Sequence, residues 1–243
     1  MNKDLEVAKQ TVKTKIIGLK KLYSSFNKNS NFTKAVNIIF KTKGKVLVVG
    51  TGKSFIIGNK ISSSLSSLGT PSVAFSSSDL NHGSMGSIQK DQDVLLIFSV
   101  SGETSELNEI LRYAKRNNIP VIGVSCKAAS TLLKFSTIKI LLPKVAEAGH
   151  SLAPTSTQIN FLSWGDSLAI ALMKRKKFTN KKFVSNHPSG SLATALIQVK
   201  EIMVTGNKIP IISSKKNIKE AVIEISKKKL GMVCVKKENK IIL

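Results

Sequence analysis

Three stretches of the chain combine hydroxyls, glycine and charge in a way that suits an anionic, oxygen-rich ligand. The first is Gly50-Thr51-Gly52-Lys53-Ser54. Glycines let the backbone approach an anion, the N–H groups of a helix start point at it, and Lys53 adds positive charge. The first glycine of a Walker A loop is missing, so no nucleotide cradle follows, and a tight strand-to-helix turn uses the same residue types. The second stretch is Ser99-Val100-Ser101-Gly102-Glu103-Thr104-Ser105-Glu106. Ser99, Ser101, Thr104 and Ser105 set four hydroxyls around one glycine where a helix begins. Hydroxyl donors, N–H groups and the helix dipole there favour a phosphate without a metal, whereas capping alone uses a single Ser or Thr. Glu106 falls in the first turn, where the dipole favours a carboxylate in any case. The third stretch runs from Glu147 through His150 to Thr155, Ser156 and Thr157, with a helix cap and further anion donors at its end. His82, in Asp79-Leu80-Asn81-His82-Gly83, and His187, in Asn186-His187-Pro188-Ser189-Gly190-Ser191, stand on loops where a solvated side chain is the commoner outcome. Acids, bases, a lysine and an anion cradle are the equipment for moving protons on a small phosphorylated molecule. No His, Cys or carboxylate pair has metal-ligand spacing, so neither metal nor other cofactor is expected.

Elements must hold these residues. Leu5, Ala8, Val12, Ile16, Leu19 and Leu22 recur at helical spacing, and a second helical stretch at 33–40 follows an Asn/Ser-rich break at 27–31. From residue 45 the period changes. Strand-like runs at 45–49, 72–75, 94–98, 121–124 and 138–142 alternate with helical stretches at 56–68, 106–117, 130–135 and 155–174, and a polar loop runs from 76 through 82. Strands separated by helices predict a doubly wound α/β domain with a five-stranded parallel sheet. Ligands gather at the carboxyl ends of such strands, and the three stretches follow the first, third and fifth strands. A basic linker at 174–182 and the His187 turn, leading into a short helix, precede a small αβ piece. That piece reads as strand at 210–212, helix at 218–228, strand at 232–235 and a further strand starting near 241.

The net charge of +24 raises the question of nucleic acid. Only three of the 38 basic residues are arginine (Arg112, Arg116 and Arg175), the lysines are spread along the chain, and aromatics make up 5%. Lys, Asn and Ile share A/T-rich codons, so compositional drift explains the charge and no nucleic-acid partner is expected. The excess still favours anionic substrates. No apolar run approaches the ~20 residues that cross a bilayer, and Asp4 and Glu6 interrupt any signal-like start. Cys126 and Cys234 lie far apart without a CxxC pattern, which fits a reduced cytoplasmic protein.

Together these stretches resemble the SIS (sugar isomerase) domain, and more narrowly the arabinose 5-phosphate isomerase family. The resemblance also rests on Leu68-Gly69-Thr70-Pro71-Ser72, His82-Gly83, Leu152-Ala153-Pro154-Thr155-Ser156, Trp164-Gly165-Asp166-Ser167-Leu168-Ala169 and Ser185-Asn186-His187-Pro188-Ser189-Gly190. It covers about residues 5–235. It implies interconversion of D-ribulose 5-phosphate and D-arabinose 5-phosphate, feeding 3-deoxy-D-manno-octulosonate and lipopolysaccharide synthesis. It also implies catalytic positions at Lys53, Glu106, Glu147 and His187, substrate contacts at Gly69, Thr70 and His82, and a homo-oligomer, a tetramer as in the family. Which residue is the proton-transferring base stays open. The expected organisation is an N-terminal helical segment (1–42), the SIS domain (43–184), a turn and short helix (185–200), and an incomplete CBS-like module (201–243). Glu201-Ile202-Met203-Val204-Thr205-Gly206 resembles the opening of the family's CBS pair. Ser76 stands where zinc-binding members of the family have a histidine six residues before the one matching His82, which argues against zinc. A sugar-phosphate sensor without turnover is the alternative, although a sensor needs the hydroxyl cradle but not two glutamates and His187.

Overall fold

The computed structural model describes residues 2–26, 30–149, 152–187, 199–238 and 240–242. They fall into two compact units, Met1–Pro188 and Ser189–Leu243.

In the first unit β1 (Val46–Gly50), β2 (Ser72–Ser76), β3 (Val94–Phe98), β4 (Val121–Ser125) and β5 (Ile138–Leu141) form one sheet in the order β2-β1-β3-β4-β5. Every pairing is parallel, with Val46 opposite both Ser72 and Val94. All strands therefore start at one edge and end at the other. β1, β3 and β4 are buried along their whole length, as continuous apolar runs with both faces covered should be. One face carries α1 (Lys3–Phe26), α2 (Ser30–Lys41), α3 (Lys53–Ser67) and α7 (Ser156–Arg175), over a core that includes Val48, Leu96, Phe98, Ile140 and Trp164. The other carries α4 (Ser77–Asn81), a 3-10 turn (Ser84–Ser87), α5 (Leu107–Arg116) and α6 (Thr131–Phe135), over Leu47, Val49, Leu95, Ile97 and Ile110.

Two stretches differ from the sequence expectation. Residues 76–82 are not a loop: Ser76 ends β2 and caps α4, its hydroxyl accepting from the Ser78 N–H at 3.4 Å. So short a helix has a single apolar anchor, Leu80, and no periodicity to read. The basic linker ends in α8 (Asn180–Asn186), where the Thr179 hydroxyl accepts from the Lys182 N–H. This end of the unit lies beside Gly69. A side chain there would run into the Phe178 ring, Lys176 Nζ donates to the Gly69 carbonyl at 3.3 Å, and Asn186 Nδ2 donates to the Ser67 carbonyl at 3.5 Å. The expected short helix after His187 lies outside the described residues, as do His150 and Ser151.

The second unit contains α9 (Val199–Ile202), β6 (Ile211–Ser213), α10 (Ile218–Lys228), β7 (Cys234–Lys237) and β8 (Lys240–Ile242). β7 is central, parallel to β6 and antiparallel to β8. A capping box between Asn217 and Glu220 starts α10.

Candidate functional site

Two helix N-termini reach the carboxyl edge of the sheet side by side. α3 follows β1 directly, and α7 packs along it: Lys60 Nζ meets Asp166 Oδ2 at 2.7 Å. A Cβ at Gly165 would stand 2.5 Å from Ile61 Cγ1, so only glycine permits this approach. Lys53 opens α3, exposed, after Gly52 at φ +52, a conformation that favours glycine.

The hydroxyl stretch fills the gap between β3 and α5. Buried Ser99 is its keystone: its hydroxyl accepts from the Gly102 N–H at 3.0 Å and pairs with Thr104 Oγ1 at 2.9 Å. Gly102 has φ +65, and a Cβ there would meet Ser130 Cβ at 2.5 Å, so this turn admits no side chain. Ser101 Oγ accepts from the Glu103 N–H at 3.2 Å, and Glu103 itself is tied to Lys127 and Thr131. Glu106 is exposed. Its own N–H and the Ser105 hydroxyl, 2.9 Å from Oε2, hold its carboxyl below the usual range.

Glu147 is placed differently. Its carboxylate accepts from the N–H and hydroxyl of Thr155 (2.6 and 2.9 Å), from the N–H of Ser156 (2.6 Å), and from the N–H and hydroxyl of Thr157. Burial works against ionisation, but the Thr157, Thr155 and Ser156 donors outweigh it and hold the carboxyl below its ordinary range. A carboxylate offers about four lone-pair sites, so Glu147 is committed to capping α7. Thr155 and Ser156, read as anion donors, thus already serve an anion of the chain itself. A groove of about 470 Å³ beside it is lined by Glu6, Gln10, Thr11, Thr14, Glu147 and Gly149. Cys126, which no sequence signal singles out, lies close enough that burial and the Glu147 charge push its thiol up to about 11.

Lys53, Ser99, Ser101, Thr104, Ser105, Glu106, Glu147, Thr155 and Ser156 therefore lie at the carboxyl edge, and so does His82, exposed at the end of α4. Gly69, Thr70 and His187 do not. Gly69 and Thr70 precede β2 at the amino edge, where Thr70 is buried and its hydroxyl has no partner among the described residues. His187 ends α8 on that same side, its ring stacked on Phe183 at 4.0 Å with Nδ1 2.9 Å from the Phe183 carbonyl. Two residues that the sequence does not single out do touch the site: Ser77 Oγ is 2.7 Å from Thr51 Oγ1, and Asn81 Nδ2 donates to the Glu106 carbonyl at 2.9 Å.

Ser76 uses its hydroxyl as a helix cap, and among the described residues no group of three His, Cys, Asp or Glu is placed to hold a metal.

A hydroxyl-rich turn, a lysine and two carboxylates thus stand at the carboxyl edge of a doubly wound sheet. The SIS domain family model matches residues 38–171, and the chain belongs to that family. Arabinose 5-phosphate isomerase KdsD of Francisella tularensis is 38% identical over 244 residues, covering 98% of this chain and 74% of that protein. KdsD of Shigella flexneri is 37% identical over 216 residues, covering 88% and 66%. Within the SIS class, the chain belongs to the arabinose 5-phosphate isomerase family, and it spans about two thirds of the length of the curated relatives it matches. Among solved structures it is similar to Escherichia coli CFT073 c3406 in complex with arabinose 5-phosphate, with 31% identity and a TM-score of 0.74, covering 77% of this chain and all of that one.

Proposed function

We propose that the protein is a cytoplasmic arabinose 5-phosphate isomerase that interconverts D-ribulose 5-phosphate and D-arabinose 5-phosphate, the latter destined for 3-deoxy-D-manno-octulosonate and lipopolysaccharide. The observation that supports this most is the gathering of Lys53, the hydroxyl turn, Glu106 and Glu147 at one edge of the sheet. The phosphate sits on Ser99–Ser105 and the start of α5. A base removes the proton from C1 of the ketose, leaving an enediolate, and the proton returns to C2 while another moves between the two oxygens. Lys53 stabilises the oxyanion. Of the two carboxylates, Glu106 is exposed and less heavily hydrogen-bonded, and Glu147 becomes a base only as the first turn of α7 releases it.

His187 and Gly69 complete the site from a second copy of the chain, whereas Thr70 is buried and presents no surface to it. Within one chain they lie at the far edge of the sheet, about 16 Å away for strands of five residues. An exposed apolar stripe on α1, with Leu5, Val12 and Ile16, gives such a copy a surface to cover, and a homotetramer is the proposed assembly.

The deciding experiment incubates the purified protein with ribulose 5-phosphate and follows arabinose 5-phosphate, with ribose 5-phosphate and six-carbon ketose phosphates in parallel. Conversion of ribulose 5-phosphate is expected. The saturation of Glu147 favours one second reading, a sensor that binds sugar phosphate without turnover. Tight binding with no conversion would establish that reading instead.

A further inference from the structure

The helix between β2 and the 3-10 turn carries contacts that the proposed chemistry leaves unused. At its start Ser77 is fully buried, and its hydroxyl meets Thr51 Oγ1 at 2.7 Å. Thr51 lies two residues before Lys53, inside the turn that opens α3. At its end the Asn81 carboxamide donates to the Glu106 carbonyl at 2.9 Å, where α5 begins. Ser77 and Asn81 are four residues apart and share one face of the helix. Between them Leu80, 1% exposed, fastens the helix to the core. The next residue is His82, whose N–H donates to the Ser78 and Asp79 carbonyls.

We infer that α4 is a positioning element: through Ser77 it fixes the turn bearing Lys53, and through Asn81 it fixes the start of α5 bearing Glu106. The inference rests on the isomerase reading for its kinetic consequences but not for its structural ones. Ser77 acts through the Thr51 side chain on the turn that bears Lys53, and Asn81 acts through the backbone carbonyl of Glu106. Ser77→Ala removes the tie to the half-buried Thr51 hydroxyl, which must then find another partner or move, and lets the Lys53 turn drift. A misplacement on the order of 1 Å at a catalytic group is enough to cost turnover.

The test is a pair of double-mutant cycles in the intact protein. Ser77→Ala and Asn81→Ala are each expected to lower kcat about tenfold while KM stays within about twofold. In a Lys53→Met background Ser77→Ala has no further effect on kcat, whereas Asn81→Ala still does; in a Glu106→Gln background the pattern reverses. Amide hydrogen exchange supplies a readout that needs no activity: Ser77→Ala speeds exchange at 51–54 and leaves 103–108 unchanged, and Asn81→Ala does the opposite. Equal losses in every background, unchanged kcat in both single variants, or a uniform rise in exchange would overturn the assignment. A wild-type protein that converts no sugar phosphate would refute the isomerase reading, and the exchange pattern would still decide the role of α4.

Discussion

Glu147 is one charge with two demands on it. The first turn of α7 holds its ionised form, so its folded pKa lies below that of the unfolded chain. The stabilisation this brings is complete above the ordinary carboxylate range and is lost as pH falls through the depressed folded value. Glu147→Gln should therefore flatten the acid limb of a Tm-against-pH curve, and equal acid lability in wild type and variant would show that the cap contributes nothing. The same variant, and His187→Ala, should each lower turnover by at least ~100-fold with far smaller changes in substrate affinity. Cys126 reports on the same corner: a thiol pushed up to about 11 should react with iodoacetamide at pH 8 about 100-fold more slowly than a free thiol. The sequence made the residue types legible here but not their hydrogen bonds. The partners of Glu147 are eight to ten residues away across a loop, and the Ser77–Thr51 pair spans 26 positions. No local pattern encodes such distances.

At the scale of elements, the five strands and the helices α3, α5, α7 and α10 were legible because each carries a helical period or a short apolar run between turn residues. α4 and α8 were not. They are five and seven residues long, too short for an amphipathic pattern, and their caps, Ser76 and Thr179, look like any polar loop residue. Gly165 belongs to the Trp164-Gly165-Asp166 motif, yet its physical reason appears only where α3 meets α7. Alanine is the better helix former by about 1 kcal/mol, but its methyl group would displace fully buried Ile61. Overpacking of this kind costs about 1–3 kcal/mol, so Gly165→Ala should lower the midpoint of urea unfolding and, by prising apart two helix starts, lower kcat as well. A variant with a higher midpoint would mean that the two helices have room to spare.

At the scale of the whole molecule, the second unit leaves Ile218, Val222 and Ile223 exposed on α10. The greater consequence comes from the placement of His187 at one edge of the sheet and Glu106 at the other. If each working site draws one from each of two chains, a His187→Ala protein and a Glu106→Gln protein, both severely slowed alone, repair one another when refolded together. Random pairing leaves about a quarter of the sites with both wild-type groups, and the recovered rate should approach that fraction. In a cell, two null alleles of the same gene would then complement in trans, and a screen that scored either residue by its mutant phenotype in a mixed population would underestimate its importance.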